Sequence, residues 1–145
     1  LYVDRRLTAG ETEARALTEL RRALGREGVE ASVAVSEWSG VSYTGLASTT
    51  RQVFPYWITS QDEHLLITTG RVIEETLGYA PHVGRWDFST DGVYTAGVAG
   101  IPTIGFGPGE ERYTHCADEQ VRVQDLEAAA RVYAELALRV LAKGK

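Results

Sequence analysis

The run Gly100-Ile101-Pro102-Thr103-Ile104-Gly105-Phe106-Gly107-Pro108-Gly109 is the most telling in the chain. Ile101 to Phe106 is short and nearly all apolar, which predicts a strand buried on both faces, as in a parallel sheet. The glycines beyond it let backbone N–H groups come close to a ligand or an oxyanion, because glycine has no Cβ to hold either off. Upstream, Pro81 to Phe88 reads as another short strand and Asp91 to Gly100 as a small helical turn. Downstream, Val123, Leu126, Ala130, Tyr133, Ala137, Val140 and Leu141 predict one face of a long amphipathic helix. Further upstream, Ser60-Gln61-Asp62-Glu63 has the pattern of a helix-capping box. It predicts a helix carrying Leu65, Leu66, Val72, Ile73 and Leu77, with a stop at Gly78. Helices and strands alternating through short glycine-rich turns predict an α/β sheet.

The first 37 residues read as strand, helix, strand. Thr8-Ala9-Gly10-Glu11 is a second capping box, with Thr8 expected to cap and Glu11 to cap back. Ala14, Leu17, Leu20 and Leu24 follow at helical spacing, and Gly25 and Gly28 offer C-terminal stops. Val29, Ala31, Val33 and Val35 then alternate with polar residues, the period of a half-buried strand. Trp38 to Thr59 has no clear period and reads as a crossing between domains, its aromatics partly buried under a long connection.

Composition narrows the function. The 145 residues include 43% hydrophobic and 24% charged, and 15 Lys+Arg against 20 Asp+Glu leave a net charge of −5. That is a globular composition with no apolar run near the roughly 18–20 residues needed to cross a bilayer, and no signal-peptide pattern at the N-terminus. The basic residues are scattered, so nucleic acid is excluded as an expected partner, as is a membrane. Cys116 is the single cysteine, which points to a reducing, cytoplasmic setting. The chain has no methionine and opens on Leu1-Tyr2-Val3, so it reads as a piece of a longer protein.

Three loops hold the residues that could do chemistry: Phe88-Ser89-Thr90-Asp91-Gly92, Gly105 to Gly109, and Thr114-His115-Cys116-Ala117-Asp118-Glu119. All are expected beyond strand ends, where open α/β sheets place ligands. His115 could offer a neutral imidazole to a metal, with Glu119 or Asp118 orienting its second nitrogen. Each feature also has a plainer reading: a loop histidine is more often a hydrogen-bonding residue, and Asp91-Gly92 alone is a turn. The Glu74-Glu75 and Glu110-Glu111 doublets read as solvated charges, and His64 and His82 as structural or exposed. No His-x-Asp, His-Glu-x-x-His or paired-cysteine spacing occurs, and Ser89 lacks a Gly-x-Ser-x-Gly setting.

The order of these pieces is more specific than any one of them. Asp4 to Thr12, Phe88 to Gly92, Gly100 to Gly109 and His115 with Asp118-Glu119 together resemble a family of metal-dependent hydrolases. Its members include acetylornithine deacetylase, succinyl-diaminopimelate desuccinylase, aminoacylase and carboxypeptidase G. The chain is most similar to the branch of peptidases and deacylases linked with selenium metabolism. The resemblance implies the C-terminal portion of a three-layer α/β/α catalytic domain, residues 41–145, preceded by half of an α+β lid or dimerisation domain, residues 1–40. It implies an amide-bond hydrolase acting on small N-acylated amino acids or dipeptides through water activated by two zinc ions, with cobalt or manganese as alternatives. His115 matches the family's late metal ligand, with Glu119 and Asp118 behind it. Thr90, Asp91, Gly92 and Gly107 match its substrate pocket. The full-length protein would be a cytoplasmic homodimer.

The family's other metal ligands, its base glutamate and its lid histidine find no match here, so this chain alone is expected to be inactive and not to retain zinc. Phe88-Ser89 also stand where the family has glycines, and Tyr94 where the desuccinylase-like version has arginine. The chain could instead be a non-catalytic dimerisation module, or a proteolytic fragment, that associates through an exposed sheet edge.

Overall fold

The computed structural model describes residues 1–86 and 88–142. The backbone falls into two units, Leu1–Ile58 and a second that begins at Thr59.

The first unit carries helix α1, Glu13–Arg26, and an antiparallel hairpin of β1, Glu37–Val41, and β2, Ala47–Arg51. Thr12, not Thr8, caps α1: its Oγ1 accepts from the Arg15 N–H at 3.2 Å. The box expected at Thr8 closes a turn instead. Gly10 adopts φ +81, which breaks helical geometry there, and the Glu11 carboxylate reaches back to the Thr8 N–H at 2.8 Å. That carboxylate is held down at about 2 by the Thr8 N–H first and by Arg5 next. Leu17, Leu20 and Leu24 are half-buried on α1 as expected, whereas Ala14 is exposed. Arg5 ties the N-terminal segment to the helix through Glu11 and, at 2.7 Å, Glu19.

The strands expected before α1 and at Val29 to Val35 are not formed. Val33 and Val35 are half-buried between exposed neighbours, so the alternation is real, but a strand needs a ladder and no described residue pairs with these segments. The ladder forms instead inside the stretch read as a crossing. Glu37 pairs with Arg51 and Val41 with Ala47, and the loop between closes through the Ser42 N–H to the Leu46 carbonyl at 2.8 Å, with Gly45 at φ +86. Periodicity could not reveal this hairpin, because β2 is exposed at all five positions. Its stabilising contacts are polar, such as Ser39 Oγ to Thr49 Oγ1 at 2.9 Å across the strands.

In the second unit, α2, His64–Leu77, packs on α4, Val123–Ala142, with the one-turn α3, Gly92–Thr95, between them in sequence. Glu63 caps α2 in place of the expected Ser60, which bonds to Asp62 in the preceding turn. Gly78 ends the helix as expected, at φ +79 with its N–H on the Glu74 carbonyl. Val72, Ile73 and Val132 form the core, and Leu77, Phe106 and Leu136 close around it. The helix pair is also tied at its surface by Arg131 to the Thr76 carbonyl, 3.1 Å, and by the Arg139–Glu75 ion pair.

The α4 helix is where the sequence places it, but its inward face is turned by one residue. Ala129, Val132 and Leu136 face the core, whereas Leu126, Ala130, Tyr133 and Ala137 are exposed. One residue is about 100° of helix, and the alanine-rich apolar face of α4 is wide enough that two adjacent stripes compete on pattern alone. Pro81 to Phe88 and Ile101 to Phe106 do not pair as strands among the described residues, and Ile101 is 54% exposed rather than buried. The architecture is mixed helix and small sheet, in keeping with an α/β class.

Candidate functional site

Phe106 anchors the glycine loop. Its side chain packs against the α2–α4 core, its ring meets Tyr133 edge-on at 5.5 Å, and its carbonyl accepts from the Tyr133 hydroxyl at 2.8 Å. Gly107, Pro108 and Gly109 leave this anchor exposed, and Gly109 turns at φ +103. A 3-10 turn at Glu111–Tyr113 follows, and then the chain doubles back. The Cys116 thiol donates to the Tyr113 carbonyl at 3.0 Å, and the Glu119 N–H donates to the Cys116 carbonyl at 3.3 Å.

His115 sits at the apex of this reversal with φ +61, alone among the described non-glycine residues in the left-handed region. Histidine adopts it more readily than a branched residue would, yet such a conformation persists only where neighbours hold it. The imidazole is exposed and meets the Phe88 ring edge-on, 5.8 Å between centroids at 89°. Phe88 in turn stacks on Trp86, 5.3 Å and 12°. The Trp86 ring lies over Gly105, where a Cβ would collide with it.

An open groove of about 450 Å³ runs beside these rings, lined by Trp86, Phe88, Gly107, Tyr113, Glu119 and Val121 among others. Its rim also carries Glu110 and Glu111. Arg112 pairs with Glu110 at 2.8 Å and lies over the Tyr113 ring at 4.7 Å. Of the residues singled out from sequence, Gly107 and Glu119 line the groove, and His115 adjoins its wall through Phe88. Asp118 is exposed, and among the described residues neither it nor Glu119 hydrogen-bonds the His115 ring, which Phe88 contacts instead.

Thr90, Asp91 and Gly92 stand in the turn that starts α3. Thr90 Oγ1 accepts from the Gly92 N–H at 3.2 Å, and Gly92 is buried. Sequence patterns give no sign of Trp86 or Tyr113 at the groove, and mark Phe88 only as bulk where the family resemblance leads to an expectation of glycine.

An accessible imidazole with no hydrogen bond to another described residue fits one ligand position of a metal. Among the described residues no three His, Cys, Asp or Glu side chains gather to hold an ion, so the donors here fit one position and not a whole site. No helix among them is long and apolar enough to cross a membrane.

Comparison with known proteins adds a family. The profile described as Peptidase family M20/M25/M40 matches residues 10–139. A protein of Escherichia coli strain K12 described as uncharacterized protein YgeY is 39% identical over 140 residues, covering 97% of this chain and 35% of that protein. The protein of the same description in Escherichia coli O157:H7 gives the same figures. The chain thus spans about a third of the length of the curated relatives it matches. No solved structure matches it significantly.

Proposed function

We propose, given that this chain belongs to peptidase family M20/M25/M40, that it forms part of a metal-dependent hydrolase of amide or peptide bonds in small N-acylated amino acids or dipeptides. The observation that carries this reading is the family match over residues 10–139, which takes in both the glycine loop and His115. In the same reading residues 41–145 belong to a three-layer catalytic domain and residues 1–40 to a lid, in a cytoplasmic homodimer. The ligands that His115 needs beside it come from outside the described residues.

A bound pair of zinc ions supplies Lewis acidity toward the amide carbonyl and a water acidic enough to ionise near neutral pH. The residues of this chain position the participants. His115 offers a ring nitrogen from the apex of a tight turn, where it is exposed. Gly107, bare of a side chain and fixed through Phe106, lets a substrate approach its backbone closely. Thr90, Asp91 and Gly92 present a short polar turn to the substrate's far end. Phe88 and Trp86 line one wall of the groove with apolar surface on the side on which His115 stands.

His115→Ala in the full-length natural protein tests the reading, with zinc content by mass spectrometry and turnover of a panel of N-acetyl amino acids and dipeptides as readouts. The expected result is loss of stoichiometric zinc and of turnover by several orders of magnitude, with an unchanged circular dichroism spectrum. Near-normal zinc and turnover would remove His115 from the metal site.

A further inference from the structure

Phe88 occupies a position that the sequence marks as unusual, and the structure gives it two ring contacts at once, Trp86 on one side and His115 on the other. Both separations lie within the roughly 4.5–7 Å range in which aromatic rings attract, one stacked and one edge-on. Two geometries on one ring constrain its neighbours in different ways: the stack fixes where the Phe88 face points, and the edge contact fixes the plane of the imidazole. The far end of the series rests on Gly105, where the Trp86 ring comes so close that a Cβ would collide with it. Gly105 adjoins Phe106, whose carbonyl and side chain are fixed to α4 and the core. A rigid element is thereby connected, ring by ring, to a histidine on an exposed turn.

We propose that Trp86 and Phe88 are positioning residues for His115, a stacked ladder seated on Gly105 that sets the plane of the imidazole. This rests on the reading of His115 as a metal ligand for its functional consequence, but not for its geometry. A histidine ligand is oriented as a rule by a hydrogen bond to its second nitrogen, and none is formed here by Asp118 or Glu119 among the described residues. The left-handed backbone of His115 makes an outside restraint necessary, since the side chain leaves its turn where few contacts of its own strand or helix could hold it. The ladder supplies that restraint with apolar surface, engaging neither ring nitrogen. It also gives a physical role to the departure at Phe88, where a glycine would leave the imidazole plane unset.

The test uses the full-length natural protein with Phe88→Leu, Phe88→Tyr and Gly105→Ala. Leucine keeps apolar bulk and removes the ring, and tyrosine keeps the ring. Alanine at 105 leaves every ring in place in the sequence but drives Trp86 off its seat. Two readouts are taken: the nitrogen–proton correlations of the His115 imidazole by NMR without metal, and cobalt(II) affinity by its visible absorption. Phe88→Leu and Gly105→Ala are expected to move the His115 cross-peaks and to weaken cobalt binding about tenfold, the scale seen when partners behind a ligand are lost. Phe88→Tyr is expected to preserve both.

Unmoved His115 cross-peaks in Phe88→Leu and Gly105→Ala would overturn the ladder. Movement in Phe88→Tyr equal to that in Phe88→Leu would do the same, because a ring contact would then not be what matters. If Phe88→Leu does not fold, Gly105→Ala decides alone. Cobalt affinity that survives His115→Ala sinks the metal-ligand reading but not the ladder, which the metal-free spectra judge separately.

Discussion

Replacing Val132 by alanine probes the α2–α4 seam on which the glycine loop is anchored. Val132 is fully buried, in contact with Val72 and Ile73, and Phe106 packs against the same cluster. Removing its two methyl groups forfeits roughly 1.6 kcal/mol of transfer free energy at about 0.8 kcal/mol per buried carbon. The hole left between two helices that cannot fully collapse adds about another 1 kcal/mol, so a cost of about 2–3 kcal/mol is expected. For a unit of this size each kcal/mol lowers the melting temperature by about 4–8 °C, which gives a fall of about 10–20 °C. Leu138→Ala is the control: at 65% exposure on the outer face of α4 it is expected to cost within about 0.5 kcal/mol. Urea unfolding followed by circular dichroism reads both, the midpoint falling at unchanged slope for Val132→Ala. If Leu138→Ala costs as much as Val132→Ala, the inward face of α4 has been misassigned.

Two further outcomes follow from named bonds. Tyr133→Phe removes the hydroxyl that donates to the Phe106 carbonyl while keeping the ring contact, and is expected to cost about 0.5–1 kcal/mol and to speed hydrogen exchange at Gly107 in the loop; unchanged exchange would mean the loop is held by Phe106 packing alone. The Glu11 carboxyl lies below its ordinary value of 4.5, at about 2, so its contribution to holding the Thr8 turn is complete above about pH 4.5 and is lost as the pH falls toward 2. Carbon-detected NMR titration should place its midpoint near 2 in the wild type, and Glu11→Gln should remove the pH dependence of the Thr8 amide shift over that window; a midpoint near 4.5 would deny the turn.

The sequence revealed what short-range chemistry determines. Helix α2 with its stop at Gly78 and helix α4 could be read because apolar periodicity and a left-handed glycine are local signals. Both capping boxes were placed early, by four residues at Thr12 and three at Glu63, because a Ser or Thr followed by an acid three residues on can equally close a turn ahead of the helix. The hairpin was hidden because its strands bury nothing and are held by a backbone ladder and by polar pairs. The expected strands illustrate the reverse: Val33 and Val35 carry the right alternation, but pairing is a non-local event that no single segment encodes.

The site divides along the same line. Gly107 and Glu119 line the groove from loops that neighbouring residues mark in the sequence, whereas the Trp86, Phe88 and His115 rings meet only once distant turns are folded. Phe88 was legible as an anomaly without a cause. The family resemblance leads to an expectation of glycine there, and in the structure the Phe88 ring meets two others. In the proposed ladder the residue that breaks the local pattern orients the histidine, rather than the acidic residues beside it in sequence. Asp118 and Glu119 are near His115 along the chain, but the ring that meets the imidazole belongs to Phe88, 27 positions away.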